Sequence, residues 1–113
     1  MKGGIQPMLY SEMTKEQLQA EMKELQQKGQ QAYDTQNWTE YEVYMTKWYL
    51  AKSYEIRDEV DIEIGRTYRI AEEYDRLTVT AIEGVMAWGV RQMTGETAAV
   101  PIAQLELQDE DGA

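Results

Sequence analysis

Ile82-Glu83-Gly84-Val85-Met86-Ala87-Trp88-Gly89-Val90-Arg91 is the stretch that decides how the C-terminal half folds. Glu83-Gly84 is the clearest turn signal in the chain, and apolar residues flank it on both sides. If those two residues form a tight hairpin turn, Ile82 pairs with Val85. That register sets Ala81 opposite Met86, Val79 opposite Trp88 and Leu77 opposite Val90. Every member of this face is apolar, so it reads as the core face. The other face pairs Thr80 with Ala87, Thr78 with Gly89 and Arg76 with Arg91. A one-residue bulge at Gly84 is the alternative and would shift the pairing. The two-residue register gives the cleaner apolar face and is preferred. It leaves Val85, Ala87 and Gly89 as a smooth outward face, with the helical part of the chain as its natural occupant.

Working outward, Gly65 precedes a strand at 66–71 in which Tyr68 and Ile70 point the same way. The run Glu72-Glu73-Tyr74-Asp75 is an acidic turn, and 76–82 is a Thr/Val/Ile-rich second strand. After the third strand, 85–91, comes a loop containing Gly95 and a short strand at 98–100 stopped by Pro101. A single 3₁₀ turn at 102–104 and a last strand at 105–107 complete the set. Short strands with tight turns and no crossover helix predict a small closed barrel of four to five strands. Only six residues separate Ile70 from Leu77. That is too short for the long first loop of a peptide-binding SH3 domain, so a Tudor-like or ribosomal-protein-like SH3-type barrel fits better.

Toward the N-terminus the period changes to that of helices. Thr14-Lys15-Glu16-Gln17 matches a capping box, with Met13 at the staple position against Leu18. Leu18, Met22, Leu25, Gly29 and Ala32 then fall on one narrow face. Gly29 weakens the helix but lets a neighbour come close. Asp34 to Asn37 breaks the pattern, and Asn37 caps a second helix, with Glu40 three residues on completing another capping box. Trp38, Tyr41, Tyr44, Met45, Trp48, Ala51 and Lys52 recur at helical spacing through about Tyr54. The short connection predicts an antiparallel helical hairpin. Arg57 to Glu63 is a charge-rich joint, although Val60, Ile62 and Ile64 alternate like a short extended edge. The expected organisation is a lead-in at 1–13, the hairpin at 14–57, an SH3-like barrel at 58–107 packed with it as one unit, and an acidic tail at 108–113. The fold class is α+β.

Composition restricts the chemistry. The 113 residues contain no cysteine and no histidine, and the net charge is −10. Disulfides, thiolate metal sites, imidazole ligands and the commonest general base are therefore excluded. Residues 1–57 have a balance of −1, and residues 58–113, with four Arg, no Lys and thirteen Asp/Glu, a balance of −9. Such a surface repels phosphate backbones and anionic membranes. No 18-residue apolar run or signal-type apolar segment is present, and a cytoplasmic location is expected. No phosphate-cradling glycine motif appears, and no carboxylate pair is marked by its setting. The reading is non-enzymatic, with no cofactor and no metal.

Five segments resemble the YfhH-like family of small uncharacterised proteins from Bacillus and related bacteria. They are Tyr10-Ser-Glu-Met-Thr14, Ala51-Lys52-Ser53-Tyr54, Gly65-Arg-Thr-Tyr-Arg-Ile70, Gly84-Val-Met-Ala-Trp-Gly-Val-Arg91 and Val100-Pro-Ile-Ala-Gln-Leu105. The resemblance runs from about Tyr10 to Leu105. Its most specific parts are the Ala-Trp-Gly and Pro-Ile-x-x-Leu segments. It implies an N-terminal helical part followed by an SH3-like barrel, and it brings no activity and no functional residues.

Four groups are candidate sites. Tyr41, Tyr44 and Trp48 give the second helix a surplus aromatic face, which either binds a partner or forms a seam with the barrel or another subunit. Glu72, Glu73 and Tyr74 form an acidic turn suited to a basic segment, against the plain reading of a solvated turn. Asp58, Glu59, Asp61 and Glu63 carry oxygen ligands for a hard cation but lack the spacing of a calcium loop, so a solvated joint is preferred. Arg66, Arg69, Arg76 and Arg91, with Tyr68 as a stacking platform, make a nucleic-acid stripe, against the reading that they pair with neighbouring acids. The leading expectation is an interaction module for an unidentified, basic protein partner, with a homodimer as a further option. A nucleic-acid-associated regulator using the arginines is the alternative.

Overall fold

The structure is a computed structural model and describes residues 9–106. The lead-in residues 1–8, Leu107 and the acidic tail lie outside the described residues. The chain divides into two compact units, Met1–Glu55 and Ile56–Ala113.

The first unit is the predicted helical hairpin. A 3₁₀ turn at Tyr10–Glu12 leads into α1, Lys15–Asp34. The capping box is present in both directions: the Gln17 N–H donates to Thr14 Oγ1 at 3.1 Å, and the Thr14 N–H donates to Gln17 Oε1 at 2.9 Å. Leu18, Met22, Leu25, Gly29 and Ala32 are the buried face, as their spacing predicts. The helix stops in a Schellman arrangement. Gln36 takes φ of +61°, its N–H donates to Tyr33 O, and the Asn37 N–H donates to Ala32 O. Asn37 then caps α2, Trp38–Ile56, by accepting from the Glu40 N–H at 3.3 Å, but its own N–H goes to Ala32 O, so the Glu40 side chain does not complete the expected box. One residue thus closes one helix and opens the next, which keeps the connection short. Gly29 of α1 lies against Tyr44 and Met45 of α2. Trp48 and Tyr54 pack with Tyr10 and Met13 on a core of Leu18, Met22 and Ala51.

The second unit is an antiparallel five-stranded sheet in the order β4-β3-β2-β1-β5. Its strands are β1 (Thr67–Ile70), β2 (Arg76–Glu83), β3 (Met86–Arg91), β4 (Thr97–Pro101) and β5 (Leu105–Glu106), with a 3₁₀ turn at Ile102–Gln104 before the last. Among the described residues the two edge strands, β4 and β5, do not pair with each other, so the ladder is open rather than the closed barrel expected from the strand pattern. Residues 60–64 form no strand, although Ile62 is buried. The buried face comprises Tyr68 and Ile70 of β1, Leu77 and Val79 of β2, Val85 and Ala87 around the β2–β3 turn, and Val100, Ile102 and Leu105. The Ile102 N–H donates to Val85 O at 2.9 Å, fixing the 3₁₀ turn to the hairpin tip.

The central hairpin corrects the sequence reading. The turn residues are Gly84 and Val85, not Glu83 and Gly84, and Glu83 pairs with Met86. Gly84 has φ of +61° while Val85 does not enter the left-handed region, the glycine-first pattern of a type II′ turn. The pairing continues as Ile82 with Ala87 and Ala81 with Trp88. It then slips at Thr80 and resumes with Val79 opposite Gly89, Thr78 opposite Val90 and Leu77 opposite Arg91. A one-residue displacement inverts both faces of a strand. Val85 and Ala87, assigned outward, are buried, while Trp88, assigned to the core, is 39% exposed and Val90 is exposed with it. Met86 is only half-buried. Arg76 lies opposite Arg69 of β1, not opposite Arg91. The bulge at Thr80 is what the strict alternation argument missed. It lets β2 keep Leu77 and Val79 inward below it and turn Glu83 outward above it.

Candidate functional site

Two turns at one end of the sheet unit are bound together by charge. The β1–β2 turn carries Glu72, Glu73, Tyr74 and Asp75, and Glu72 reverses the chain with φ of +71°. The Ile70 N–H closes this turn on Asp75 O at 3.0 Å. Facing it is the β3–β4 loop, where Met93 follows Arg91. The Asp75 carboxylate bridges the two. Its Oδ1 accepts from the Arg76 N–H at 2.8 Å and from the Met93 N–H at 3.0 Å, and its Oδ2 accepts from Arg91 Nη1 at 3.3 Å. Arg91 also donates to Glu73, with Nη1 to Oε1 at 2.6 Å. Burial raises the Asp75 pKa, but the two backbone donors and the guanidinium outweigh it and hold the carboxyl below its ordinary range. The same contacts, Glu73 first, raise Arg91 above its ordinary value, so both partners stay charged through the neutral range.

This clamp supports two side chains that make little use of it for packing. Tyr74 is 95% exposed and Met93 is 74% exposed. They border a shallow depression of about 240 Å³ shared with Arg69, Glu73, Asp75, Arg76 and Gln92. Met93 was not among the residues singled out from sequence, because a methionine in a glycine-containing loop carries no pattern of its own. Its role follows only from the hydrogen bond that fixes its backbone to Asp75.

The other sequence-level candidates are distributed differently. Tyr41 joins Tyr33 and Trp38 in an edge-to-face cluster at the hairpin tip, with ring centroids 5.3 to 6.4 Å apart. Tyr44 lies over Gly29, and Trp48 packs on the helical core, its indole N–H buried without an acceptor among the described residues. The second helix's aromatics therefore face α1 at three successive levels. Tyr33 and Trp38, both half-exposed at the tip, are the aromatics that the helical unit shows most to solvent among the described residues.

The arginines do not form one stripe. Arg91 belongs to the clamp, Arg69 pairs with Glu106 at 3.3 Å, and Arg66 lies 5.6 Å over the Tyr68 ring and 3.9 Å from Glu63. Tyr68 is buried and accepts from the Glu63 N–H at 2.9 Å, which removes it as a stacking platform. Only Arg76 has no acidic partner among the described residues. Asp58, Glu59, Asp61 and Glu63 do not converge: among the described residues no three acidic groups come together as cation ligands. No helix of the described residues is long and apolar enough to cross a membrane.

The helical unit has a concavity of its own, a groove of about 630 Å³ lined by Leu9, Tyr10, Met13, Leu50 and Tyr54 with Glu21 and Lys47 at its edge. Tyr10 donates to Glu21 Oε2 at 2.9 Å. Burial, then this contact with the carboxylate, pushes the phenol well above its ordinary value and keeps it neutral.

The sequence profile of a family described as "Protein of unknown function (DUF1811)" matches residues 8–106. The chain is also 34% identical over 101 residues to "Uncharacterized protein YfhH" of Bacillus subtilis (strain 168), covering 88% of this chain and 96% of that one. The match extends across both the helical hairpin and the sheet, as the five resembling segments imply. With nearly the whole of both chains aligned above 30% identity, this protein belongs to the YfhH-like, DUF1811 family.

Proposed function

We propose that the protein is a non-enzymatic interaction module that receives a basic segment of a protein partner at the clamped turns of its sheet unit. The observation that carries this reading is the pair of exposed side chains, Tyr74 and Met93, held in place by Asp75 and Arg91. A rigid base beneath solvent-facing aromatic and thioether groups lowers the entropy lost when a partner covers them. Burial there recovers apolar area, and the Tyr74 face offers a cation–π contact to a lysine or arginine. The −9 balance of residues 58–113 supplies long-range attraction for such a partner. The nucleic-acid alternative is supported less well, since three of its four arginines are already engaged within the unit.

The strand order, with a 3₁₀ turn between β4 and β5, supports an SH3-like topology left open between those two strands as the architecture on which this site sits. The absence of cysteine supports a cytoplasmic setting.

The test is a backbone amide NMR titration of the full chain with two degenerate peptide pools, one lysine/arginine-rich and one aspartate/glutamate-rich. Shifts from the basic pool that cluster on residues 72–75 and 91–95, and vanish in a Tyr74→Ala, Met93→Ala variant, are the expected result. Shifts that scatter over all acidic residues, or that survive this double substitution, would overturn the proposal.

A further inference from the structure

Inverting β3 gives the sheet unit an outward face whose composition is unlike the rest of the surface. Reading pairs from one end to the other, its first rung holds Arg69, Arg76 and Gln92. The next holds Thr67, Thr78, Val90 and Thr97, then come Ala81, Trp88 and Ala99, and the last holds Glu83 with Met86, beside a buried Pro101. The middle two rungs carry no charge. Thr67 and Thr78 satisfy each other with a hydroxyl contact of 2.7 Å, which leaves a smooth surround for Trp88 and Val90. The ends are opposite in sign. Arg69 and Arg76 stand directly across from one another, a repulsive arrangement that Glu106 offsets only on the Arg69 side. Glu83 stands three rungs away on the same strand as Arg76.

We infer that this face binds a second copy of the chain. Stack two such faces about a twofold axis that lies between them, perpendicular to the strands and midway along the four rungs. Each strand then lies over its own counterpart, running in reverse. Arg76 meets Glu83 of the other copy, and the symmetry makes this contact twice. Val90 meets Trp88 of the other copy, so the large ring fills the space over the smaller side chain. Facing sheets sit ~10 Å apart with strands within about 30° of alignment, a distance that arginine and glutamate side chains span together. Self-complementarity is what a twofold interface requires, because each patch must be its own partner. A different protein has no such requirement, and the match of both charge and bulk along β2 and β3 then has no reason to exist. The Thr80 bulge is essential to the match, since unbroken alternation would point Glu83 to the buried side. This inference does not rest on the clamped turns, which lie at the sheet end.

With β1 present in only the first two rungs, the face is on the order of 400 Å² per copy at most, no more than about half that of a standard stable interface. The dimer is therefore weak and dissociates on dilution. Sedimentation velocity and equilibrium on the full chain, from about 10 µM to about 1 mM, read it directly. Dimer at the upper end that dissociates on dilution is expected. Trp88→Ala abolishes it. Arg76→Glu and Glu83→Arg each weaken it by about tenfold or more, and the two together restore it to within a few-fold of the original. Circular dichroism identical to the parent shows that each variant is folded. Restoration by the double exchange is a result that damage to the fold cannot produce. A monomer throughout the range, a dimer indifferent to Trp88→Ala, or a folded double variant without restoration would each overturn the inference.

Discussion

Gly89 separates the two registers of the central hairpin by experiment. In the observed pairing it lies opposite Val79 on the inward face, and a Cβ placed there would collide with the carbonyl oxygen and carbon of Thr78 and touch Leu77 Cγ at 3.0 Å. The obstacle is backbone on a paired strand, so relief requires β2 and β3 to move apart. Overpacking of a core costs about 1–3 kcal/mol and more when backbone must shift, so Gly89→Ala should cost at least ~3 kcal/mol. For a domain of this size ~1 kcal/mol corresponds to roughly 4 °C, so the sheet unit should melt at least about 10 °C lower. In the register with Ile82 opposite Val85, Gly89 would sit on the outward face opposite Thr78. Alanine there would be harmless, or gain about 0.4–1 kcal/mol by restricting the unfolded chain. Differential scanning calorimetry of the parent and Gly89→Ala at one pH decides between them. An unchanged or raised melting temperature refutes the inward placement of Gly89, and with it the outward placement of Trp88.

Trp88→Ala should cost clearly less than the ~3–5 kcal/mol of a core aromatic, whereas Leu77→Ala, at a fully buried position, should cost about 2–5 kcal/mol; urea unfolding of both variants checks the order. Gly29→Ala should stabilise the helical unit by up to ~1 kcal/mol, because the added methyl meets Met45 Sδ at 3.5 Å and Tyr44 Cβ at 3.7 Å, ordinary contact distances, and thermal melts followed at 222 nm would show it. Asp75 has a folded pKa below its unfolded 3.8, so its contribution is complete above that value and is lost as pH falls through the folded pKa; Asp75→Asn should flatten the loss of stability as pH falls below 3.8, measured by denaturant midpoints.

The helical half was legible because each of its signals is local. Thr14 with Gln17 and Asn37 with Glu40 act within one turn, and the Leu18-to-Ala32 spacing depends only on helical pitch. Strand boundaries in the second half were legible for a similar reason, as Gly65, Gly84, Gly95 and Pro101 punctuate them. The face of β3 was not. Both sides of Met86 to Val90 are apolar or small, so the pattern does not distinguish inward from outward, and one bulge at Thr80 decides it. Gly89 was the overlooked clue: an inward glycine among large neighbours marks close backbone approach. At the candidate site, Glu73 and Tyr74 were found through the charge of their turn. Asp75 as the bridge, Arg91 as its counter-charge and Met93 as the second exposed group needed the tertiary meeting of two turns. Arg91 lies 16 residues from Asp75, beyond the reach of any local pattern.

Trp88 is the only indole in residues 56–113, and Trp38 and Trp48 both belong to α2. Replacing those two with phenylalanine would make emission a report on the sheet alone. A ring this exposed emits to the red and is open to collisional quenching by iodide or acrylamide. Anything that settles on β3 would shift the spectrum to the blue and shield the ring. The protein thus carries its own optical gauge for occupancy of that strand, readable without a label and without knowing what the occupant is.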